Sequence, residues 1–316
     1  MAEFIHKPVL IAEVLEGLRV RPGSRVIDGT VGGGGHAAEI LKASAPTGYL
    51  AGCDRDGNAI LAARERLSGF RGRFELRQGN YADLAQWVEA DSCDGVLLDL
   101  GVSSPQLDHA GRGFSFQEDG PLDMRFDQTR GLTAADLVAR LSAEELAKIF
   151  WKYGGERDSR RLARAIVRDR ELRPLERTRQ LAELIERISP RGGRRAHPAT
   201  KVFQALRMAV NYELGFLISG LEAAVKILKP AGRLAVITFH SGEDRVVKEF
   251  GRRFSRDYEP AAGVDAPELR RPRPPQLKWA PRKAILPGEA ELRENPRSRS
   301  AQLRVFEKLP AKSSSQ

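Results

Sequence analysis

The stretch Arg25-Val26-Ile27-Asp28-Gly29-Thr30-Val31-Gly32-Gly33-Gly34-Gly35-His36 joins a short apolar run to a helix-like run, Ala37 to Ala43. A strand, a glycine-rich turn and a helix in this order can hold a nucleotide-like ligand, because glycines allow positive φ and close approach of the backbone. Gly29, Gly32 and Gly34 fit G-x-x-G-x-G rather than the G-x-G-x-x-G of dinucleotide-binding folds. The stretch alone leaves two interpretations open, a cofactor loop and a glycine-rich structural turn.

Strands and helices alternate around this loop. Strands are predicted at 24–28, 49–54, 73–78 and 95–100, and helices at about 8–18, 37–44, 56–67 and 83–90. This alternation indicates parallel βαβ units. The fourth strand is apolar without alternation, which is typical of a strand buried on both faces. In such sheets ligands bind at the carboxyl ends of the strands, so the residues found there are the candidate site residues.

The next strand is predicted only at 233–239. The intervening sequence begins with a Gly-, Ser-, Asp- and Pro-rich stretch, 101–131, which predicts a long loop. Helices are predicted at about 134–141, 143–153, 159–170, 179–188 and 199–229. Residues 1–106 and 200–316 are therefore predicted to form a discontinuous sheet domain, and residues 107–199 an inserted helical domain. The Pro- and Arg-rich segment 259–300 predicts a loop, and 302–308 a last edge or antiparallel strand.

Side chains at the predicted strand ends suggest a cofactor site. Asp54, 26 residues after Asp28, could accept hydrogen bonds from both hydroxyls of a ribose; the alternative is an N-cap of the following helix. Tyr81 could stack on an adenine, or be a half-buried packing tyrosine. Asp99 ends an apolar strand, where a carboxylate is costly to bury and usually has a task; the alternative is a cap on the following turn.

Two histidines are further candidates. His240 follows the strand at 233–239, where it could contact substrate or transfer a proton, or simply be hydrogen-bonded in place. His36 could be mistaken for a catalytic base, but its position at the start of a helix favours a wall of the cofactor site. The sequence leaves both interpretations of His240 open.

The charge is strongly basic and locally concentrated. The net charge is +10, from 52 Lys and Arg against 42 Asp and Glu. Residues 151–201 contain 15 basic and 7 acidic side chains, and residues 271–299 contain 8 and 3. A basic stripe favours a polyanion such as nucleic acid, whereas an arginine-rich solvated helix face is the alternative.

The sequence predicts a cytoplasmic protein with no membrane segment and no metal site. No run reaches the roughly 18 apolar residues of a membrane helix, and residues 1–7 lack a signal-peptide pattern. Cys53 lies in a predicted strand and Cys93 two residues before one, as expected of buried reduced thiols. They have neither paired spacing nor a neighbouring histidine cluster, so a metal site is not expected.

These motifs together resemble one family, the bacterial MraW (RsmH) methyltransferases. They are His6-Lys7-Pro8-Val9-Leu10, Asp28-Gly29-Thr30, Gly32, Gly34-Gly35-His36, Asp54-Arg55-Asp56, Leu97 to Asp108, Arg112 to Phe116, Gly120 to Arg125, His197 to Thr200, Phe239-His240-Ser241 and Asn295 to Ser300. One departure is Gly242, where the family commonly has leucine; it is expected to loosen the start of the following helix.

The resemblance implies a Rossmann-like methyltransferase fold with a helical insertion, S-adenosylmethionine as cofactor, and methylation of the N4 amine of a cytidine in 16S ribosomal RNA, in the decoding centre. The implied cofactor-binding residues are Gly34, Gly35, His36, Asp54, Tyr81, Asp99 and Gln106. The catalytic candidates are Asp99, Ser103, Ser104 and His240. The inserted domain would then face RNA in the small ribosomal subunit.

The acceptor amine is the chemical difficulty, because its lone pair is shared with the cytosine ring. The Asp99 carboxylate, or main-chain carbonyls of the Ser103-Ser104-Pro105 turn, could accept hydrogen bonds from that amine. Two other functions stay open. One is a non-catalytic RNA-binding or ribosome-assembly protein on the same fold, and the other is a nicotinamide oxidoreductase, which the glycine spacing disfavours. The sequence also leaves a homodimer open.

Overall fold

The computed structural model describes residues 8–193, 197–260 and 265–311, so the motif residues His6 and Lys7 lie outside the described residues. The strands are β1 Arg25–Asp28, β2 Tyr49–Asp54, β3 Phe74–Gln78, β4 Cys93–Asp99, β5 Leu228–Thr238, β6 Tyr258–Glu259, β7 Arg271–Pro272, β8 Leu277–Trp279 and β9 Gln302–Lys308. The α-helices are α1 Ile11–Leu18, α2 Gly35–Ala43, α3 Gly57–Arg66, α4 Leu84–Trp87, α5 Ser104–Asp108, α6 Ala134–Arg140, α7 Ala143–Gly154, α8 Ser159–Leu172, α9 Thr178–Ile188, α10 Thr200–Val210, α11 Glu213–Ile227, α12 Ser241–Ser255 and α13 Glu289–Glu294.

The main sheet has the strand order β3-β2-β1-β4-β5-β9-β8. Strands β1 to β5 are parallel, whereas β9 runs antiparallel to β5 and β8 antiparallel to β9. The order reverses between β1 and β4, and this switch point is where open α/β sheets form a ligand crevice. The predicted α/β fold and its parallel strands are therefore confirmed.

Two apolar layers cover the faces of this sheet. Successive side chains of a strand point to opposite faces, so Leu97 faces the core formed with α1, α2 and α3, and Leu98 faces the core formed with α4, α11 and α12. This burial on both faces explains the unbroken apolar run of β4. Both cysteines are buried, as predicted.

The chain divides into two compact units, one formed by Met1–Gly101 and Leu214–Gln316 and the other by Val102–Glu213. The second unit is helical and has its own core, built by α6 to α10 around Phe150. These bounds differ from the predicted insertion at 107–199. The unit also includes α10, because Val202, Phe203 and Leu206 are buried in its core.

Two predicted elements are wrong in detail, and a third, the strand at 302–308, is confirmed as the antiparallel alternative. The helix expected at 199–229 is two helices, because the chain turns at Tyr212, whose φ is 51°, and the Asn211 side chain donates to the carbonyl of Met124 at 2.7 Å. Strand β9 is antiparallel but not an edge, since β8 pairs with its other side. The supposed loop at 259–300 contains β8 and α13.

Among the described residues, no helix combines the length and apolar content needed to cross a bilayer.

Candidate active site

Three aspartates stand where β1, β2 and β4 end, at the carboxyl edge of neighbouring parallel strands. Asp28 ends β1, Asp54 ends β2 and Asp99 ends β4. Asp28 pairs in register with Gly52 on one side and Leu97 on the other. Asp28 and Asp99 therefore flank the switch point, and Asp54 lies one strand further along the sheet.

Asp54 is held by main-chain amides. Its Oδ2 accepts from the Gly32 N–H at 2.9 Å and its Oδ1 accepts from the Asp56 N–H at 2.9 Å. Burial raises its pKa, and these two amides oppose the rise. The N-cap of α3 is Asp56, which accepts from the Asn58 N–H at 3.0 Å, so the helix-cap interpretation of Asp54 is wrong. Asp54 instead ties the glycine-rich loop to the end of β2 and retains lone pairs on both oxygens.

Asp28 and Asp99 are joined through Thr30. The Thr30 N–H donates to Oδ1 of Asp28 at 3.0 Å, and the Thr30 hydroxyl accepts from the Asp99 N–H at 2.6 Å. Oδ2 of Asp28 and Oδ1 of Asp99 are buried and find no hydrogen-bond partner in the part of the chain that the structure describes. A buried carboxylate oxygen without a donor is costly, so both atoms are candidates for contact with a ligand.

Burial also dominates the ionisation of this pair. It raises the pKa of Asp28 to about 7, against the hydrogen bond from the Thr30 amide and together with the nearby Asp54. It raises the pKa of Asp99 well above its usual range, and the charges of Asp28 and Glu243 add to the effect. A cation placed between the two carboxyls would favour their ionised forms. Asp28 was expected at a strand end but was assigned no role in the sequence-based prediction. Its position at that end was the signal that could have identified it as a site residue.

His36 connects Asp99 to the segment that precedes α1. The buried ring has Nε2 2.8 Å from the Val9 carbonyl oxygen and Nδ1 3.6 Å from Oδ2 of Asp99. Because a carbonyl only accepts, Nε2 carries a proton, and Nδ1 is the ring nitrogen that faces Asp99. The structure therefore places His36 beside Asp99, and its part as a wall of the cofactor site stays a prediction.

The glycines of the loop serve several different needs. Gly34 has φ 78°, and a Cβ there would lie 3.2 Å from Cα of Ala63. A Cβ on Gly35 would lie 2.3 Å from Cγ of Pro8, whereas a Cβ on Gly33 would meet nothing within 4 Å. Gly34 and Gly35 are thus required by turn geometry and by packing within the protein. Gly33 is the loop position that stays open.

Tyr81 packs against the core. A Cβ on Gly220 of α11 would lie 2.3 Å from Cδ2 of Tyr81, so the ring lies directly on this glycine. The residue is partly buried beside the core formed with α4, α11 and α12. The structure thus shows the packing role, and stacking on an adenine stays a prediction.

His240 is the N-cap of α12. Its Nδ1 accepts from the Glu243 N–H at 3.3 Å and its Nε2 lies 3.1 Å from Oε1 of Glu243. Oε2 of Glu243 in turn accepts from the Phe239 N–H at 2.8 Å. The structure shows a histidine hydrogen-bonded in place, and the cap is intact despite Gly242. A part in proton transfer stays a prediction.

Ser103, Ser104 and Gln106 belong to the second unit. Ser103 is the N-cap of α5, and its N–H donates to the side-chain oxygen of Gln106 at 3.0 Å. Ser104 and Gln106 are buried. Their parts in catalysis and cofactor binding stay predictions.

A parallel sheet with this switch point, a glycine loop after β1 and an acidic residue ending β2 define a Rossmann-like enzyme that binds a nucleoside-containing cofactor. The model of the MraW methylase family matches residues 3–309, and the chain belongs to this family. It is therefore a methyltransferase, with S-adenosylmethionine as its cofactor. The nicotinamide oxidoreductase interpretation is wrong.

Curated relatives match over nearly the whole chain. A protein of Xanthomonas euvesicatoria is 51% identical over 96% of this chain and 89% of its own length. A protein of Symbiobacterium thermophilum is 50% identical over 98% of both chains. A protein of Syntrophotalea carbinolica is 51% identical over 97% of this chain and 98% of its own length. Each of these relatives is named ribosomal RNA small subunit methyltransferase H.

Proposed function

We propose that the enzyme transfers a methyl group from S-adenosylmethionine to the exocyclic N4 amine of a cytidine in 16S ribosomal RNA, in the decoding centre of the small subunit. The names of the curated relatives support ribosomal RNA as the substrate. The structural observation that carries the chemistry is the buried, unpartnered Oδ1 of Asp99 at the switch point of the sheet.

The residues at the strand ends fit a cationic nucleoside cofactor. The Asp54 carboxylate, fixed by two amides, would accept hydrogen bonds from the ribose hydroxyls. The free oxygens of Asp28 and Asp99 would face the positive charge. When bound, S-adenosylmethionine supplies a methyl group on a sulfonium centre, so departure of the leaving group needs no general acid.

Asp99 is the group we assign to the acceptor amine. Its carboxylate would accept a hydrogen bond from the N4 amine and hold the nitrogen about 3 to 3.5 Å from the methyl carbon. Its raised pKa makes it an effective base for the proton that nitrogen loses as the N–C bond forms. The cytidine must be unstacked to reach this position.

The second unit is the part of the chain we assign to RNA recognition. Residues 151–201 carry 15 Lys and Arg against 7 Asp and Glu. Phosphate contacts by such side chains supply most of the affinity of RNA-binding proteins but little of their sequence specificity. The enzyme would act in the cytoplasm, where ribosomal subunits are assembled.

The test is methyl transfer by Asp99→Asn, which keeps the size of the side chain and removes its charge. We expect kcat on small subunits from a strain lacking the gene to fall at least 100-fold. Glu75→Gln is the control for the loss of one negative charge, because Glu75 is an exposed carboxylate of β3 that pairs with Arg77. Turnover by Asp99→Asn equal to that of the unchanged enzyme would remove Asp99 from the mechanism.

Mass spectrometry of 16S rRNA from the deletion strain addresses the substrate. Loss of a single N4-methyl cytidine, restored by the gene but not by its Asp99→Asn form, is the expected result. A modification pattern identical to that of the parent strain would refute the N4 amine of a 16S rRNA cytidine as the target.

A further inference from the structure

One face of α8 presents a row of arginines around a groove. Arg161, Arg164 and Arg168 line a groove of about 520 Å³ together with Val167 and Ala143, which is the first residue of α7. Their spacing of three and four residues places them on one face of the helix. All three side chains are exposed, whereas Leu162, Ala163, Ala165 and Ile166 anchor the opposite face in the core of the unit. The row is therefore held in place by a buried helix face.

These three charges lack carboxylate partners. Among the described residues, none of the three guanidinium groups takes part in an ion pair. Arg161 donates to the Ile188 carbonyl, and Nε of Arg164 donates to the Arg160 carbonyl at 3.2 Å. A carbonyl accepts a hydrogen bond without neutralising the charge, so the row keeps its positive potential.

Several other arginines of this unit are neutralised by a carboxylate. Six of them pair with a carboxylate of the same unit, namely Arg125, Arg130, Arg140, Arg177, Arg187 and Arg207. The aspartates that flank the row in sequence are already engaged. Asp158 accepts from the Ser189 hydroxyl at 3.1 Å, and Asp169 of α8 pairs with Arg187. Other described arginines of the unit, such as Arg157, Arg160 and Arg173, also take part in no ion pair, so what distinguishes the row is that its three guanidinium groups line one groove.

We propose that the α8 row is a binding site for the phosphate backbone of the RNA substrate. Arginine forks match phosphate oxygens, and the helix places the three Cα atoms about 4.5 and 6 Å apart along its axis. That interval is on the scale of adjacent phosphates of one strand, so a polyanion can meet all three charges and relieve their mutual repulsion. The proposal rests on the proposed function for the identity of the polyanion, and it deepens that function by naming the surface that holds it.

The test compares two variants with the same loss of charge. The first is Arg161→Gln/Arg164→Gln/Arg168→Gln. The control is Arg130→Gln/Arg140→Gln/Arg293→Gln, whose arginines are equally exposed but paired with Asp127, Asp136 and Glu289. Exposed ion pairs contribute little to stability, so the control should fold. A fluorescein-labelled transcript of 16S rRNA is titrated with each full-length protein at several salt concentrations.

We expect the α8 variant to bind the transcript about tenfold or more weakly at 150 mM salt. The slope of log K against log salt concentration should become shallower by about 2 to 3, because each lost phosphate contact removes roughly 0.7 to 0.9. Affinity of the control should stay within about twofold of the unchanged protein. Replacing the three arginines by lysine keeps the charge and should restore most of the slope.

Two results would overturn the site. One is an α8 variant with unchanged affinity and slope, and the other is an equal loss in the control, which would make bulk charge responsible. Calorimetric binding of S-adenosylmethionine and the melting temperature, both unchanged, would show that the α8 variant is folded. Failure of the proposed function can be recognised separately. If the unchanged enzyme methylates no ribosomal RNA, the binding comparison still shows whether the α8 row binds the transcript.

Discussion

Asp28 carries an electrostatic cost that the pH dependence of stability can measure. It is 1% exposed and its pKa is about 7, whereas the pKa of an unfolded aspartate is about 3.9. Between these values the folded protein holds a proton that the unfolded chain releases. Stability without cofactor should therefore fall as pH rises from about 4 to 7, and the loss should be complete above pH 7.

Asp28→Asn should remove this dependence. Its Oδ1 can still accept from the Thr30 N–H, so the local geometry is kept. Relative to the unchanged protein, the free energy of unfolding of the variant should rise by on the order of 4 kcal/mol between pH 4 and pH 8. Urea unfolding followed by circular dichroism at several pH values measures the change. A pH-independent difference between the two proteins would show that Asp28 does not titrate in this range.

Asp244 provides a control of opposite sign. Burial alone would raise its pKa, but the Arg304 guanidinium, 2.6 Å away, holds the pKa below its usual range. Asp244→Asn should therefore be less stable than the unchanged protein at neutral pH. The two proteins should converge as pH falls through the depressed pKa of Asp244.

Asp54 is the residue whose loss should affect the cofactor most directly. Asp54→Ala should weaken S-adenosylmethionine binding by at least tenfold, because a charged acceptor for the ribose and the anchor of the Gly32 amide are both removed. Asp56→Ser keeps an N-cap on α3 and should bind the cofactor normally. Calorimetry on both variants is the measurement, and unchanged affinity in Asp54→Ala would refute the ribose assignment.

At the scale of elements, backbone geometry restricts the residues of the glycine-rich loop as much as ligand binding does. Gly34→Ala places a Cβ at φ 78°, 3.2 Å from Ala63 of α3, and should destabilise the protein by about 1 to 3 kcal/mol. Gly33→Ala meets open space and should stay within about 0.5 kcal/mol of the unchanged protein. Thermal unfolding of the two variants is the comparison; equal stabilities would mean that the turn tolerates a side chain at Gly34.

Strands and helices were predictable where one sequence pattern was strong. The apolar runs of β1, β2 and β4 and the alternation of strands and helices marked the parallel sheet and its carboxyl edge. The break between α10 and α11 was not predictable, because no glycine or proline marks it; the Asn211 side chain makes the turn by bonding to residues distant in sequence. Strand β8 is only three residues long, and its pairing with β9 is likewise a tertiary effect.

Dependence on tertiary contacts also limits what the sequence predicts about the site. The types and positions of Asp54, Asp99 and His36 followed from the strand ends and the family motifs. The Thr30 bridge and the orphaned oxygens did not, because they depend on the register of β1 with β4. The role of His240 as a helix cap was one of the two interpretations that the sequence had left open.

At the scale of the whole molecule, the second unit should fold by itself. Its core draws only on residues of the unit, so a fragment of residues 102–213 should unfold cooperatively. A fragment of residues 107–199 lacks α10 and its buried Val202, Phe203 and Leu206, and should be far less stable. Circular dichroism during urea unfolding distinguishes the two. Equal cooperativity would place the boundary of the unit before α10.

The pairing of β5 with β9 also sets the order of events during synthesis. Thr238 of β5 pairs with Gln302, which is translated 64 residues later. At typical elongation rates this delay is roughly 3 to 13 s. Throughout it, one side of β5 is an open strand edge on the growing chain, and such edges are sites of aggregation. We therefore expect the nascent protein to be more prone to aggregation during those seconds than the finished sheet is.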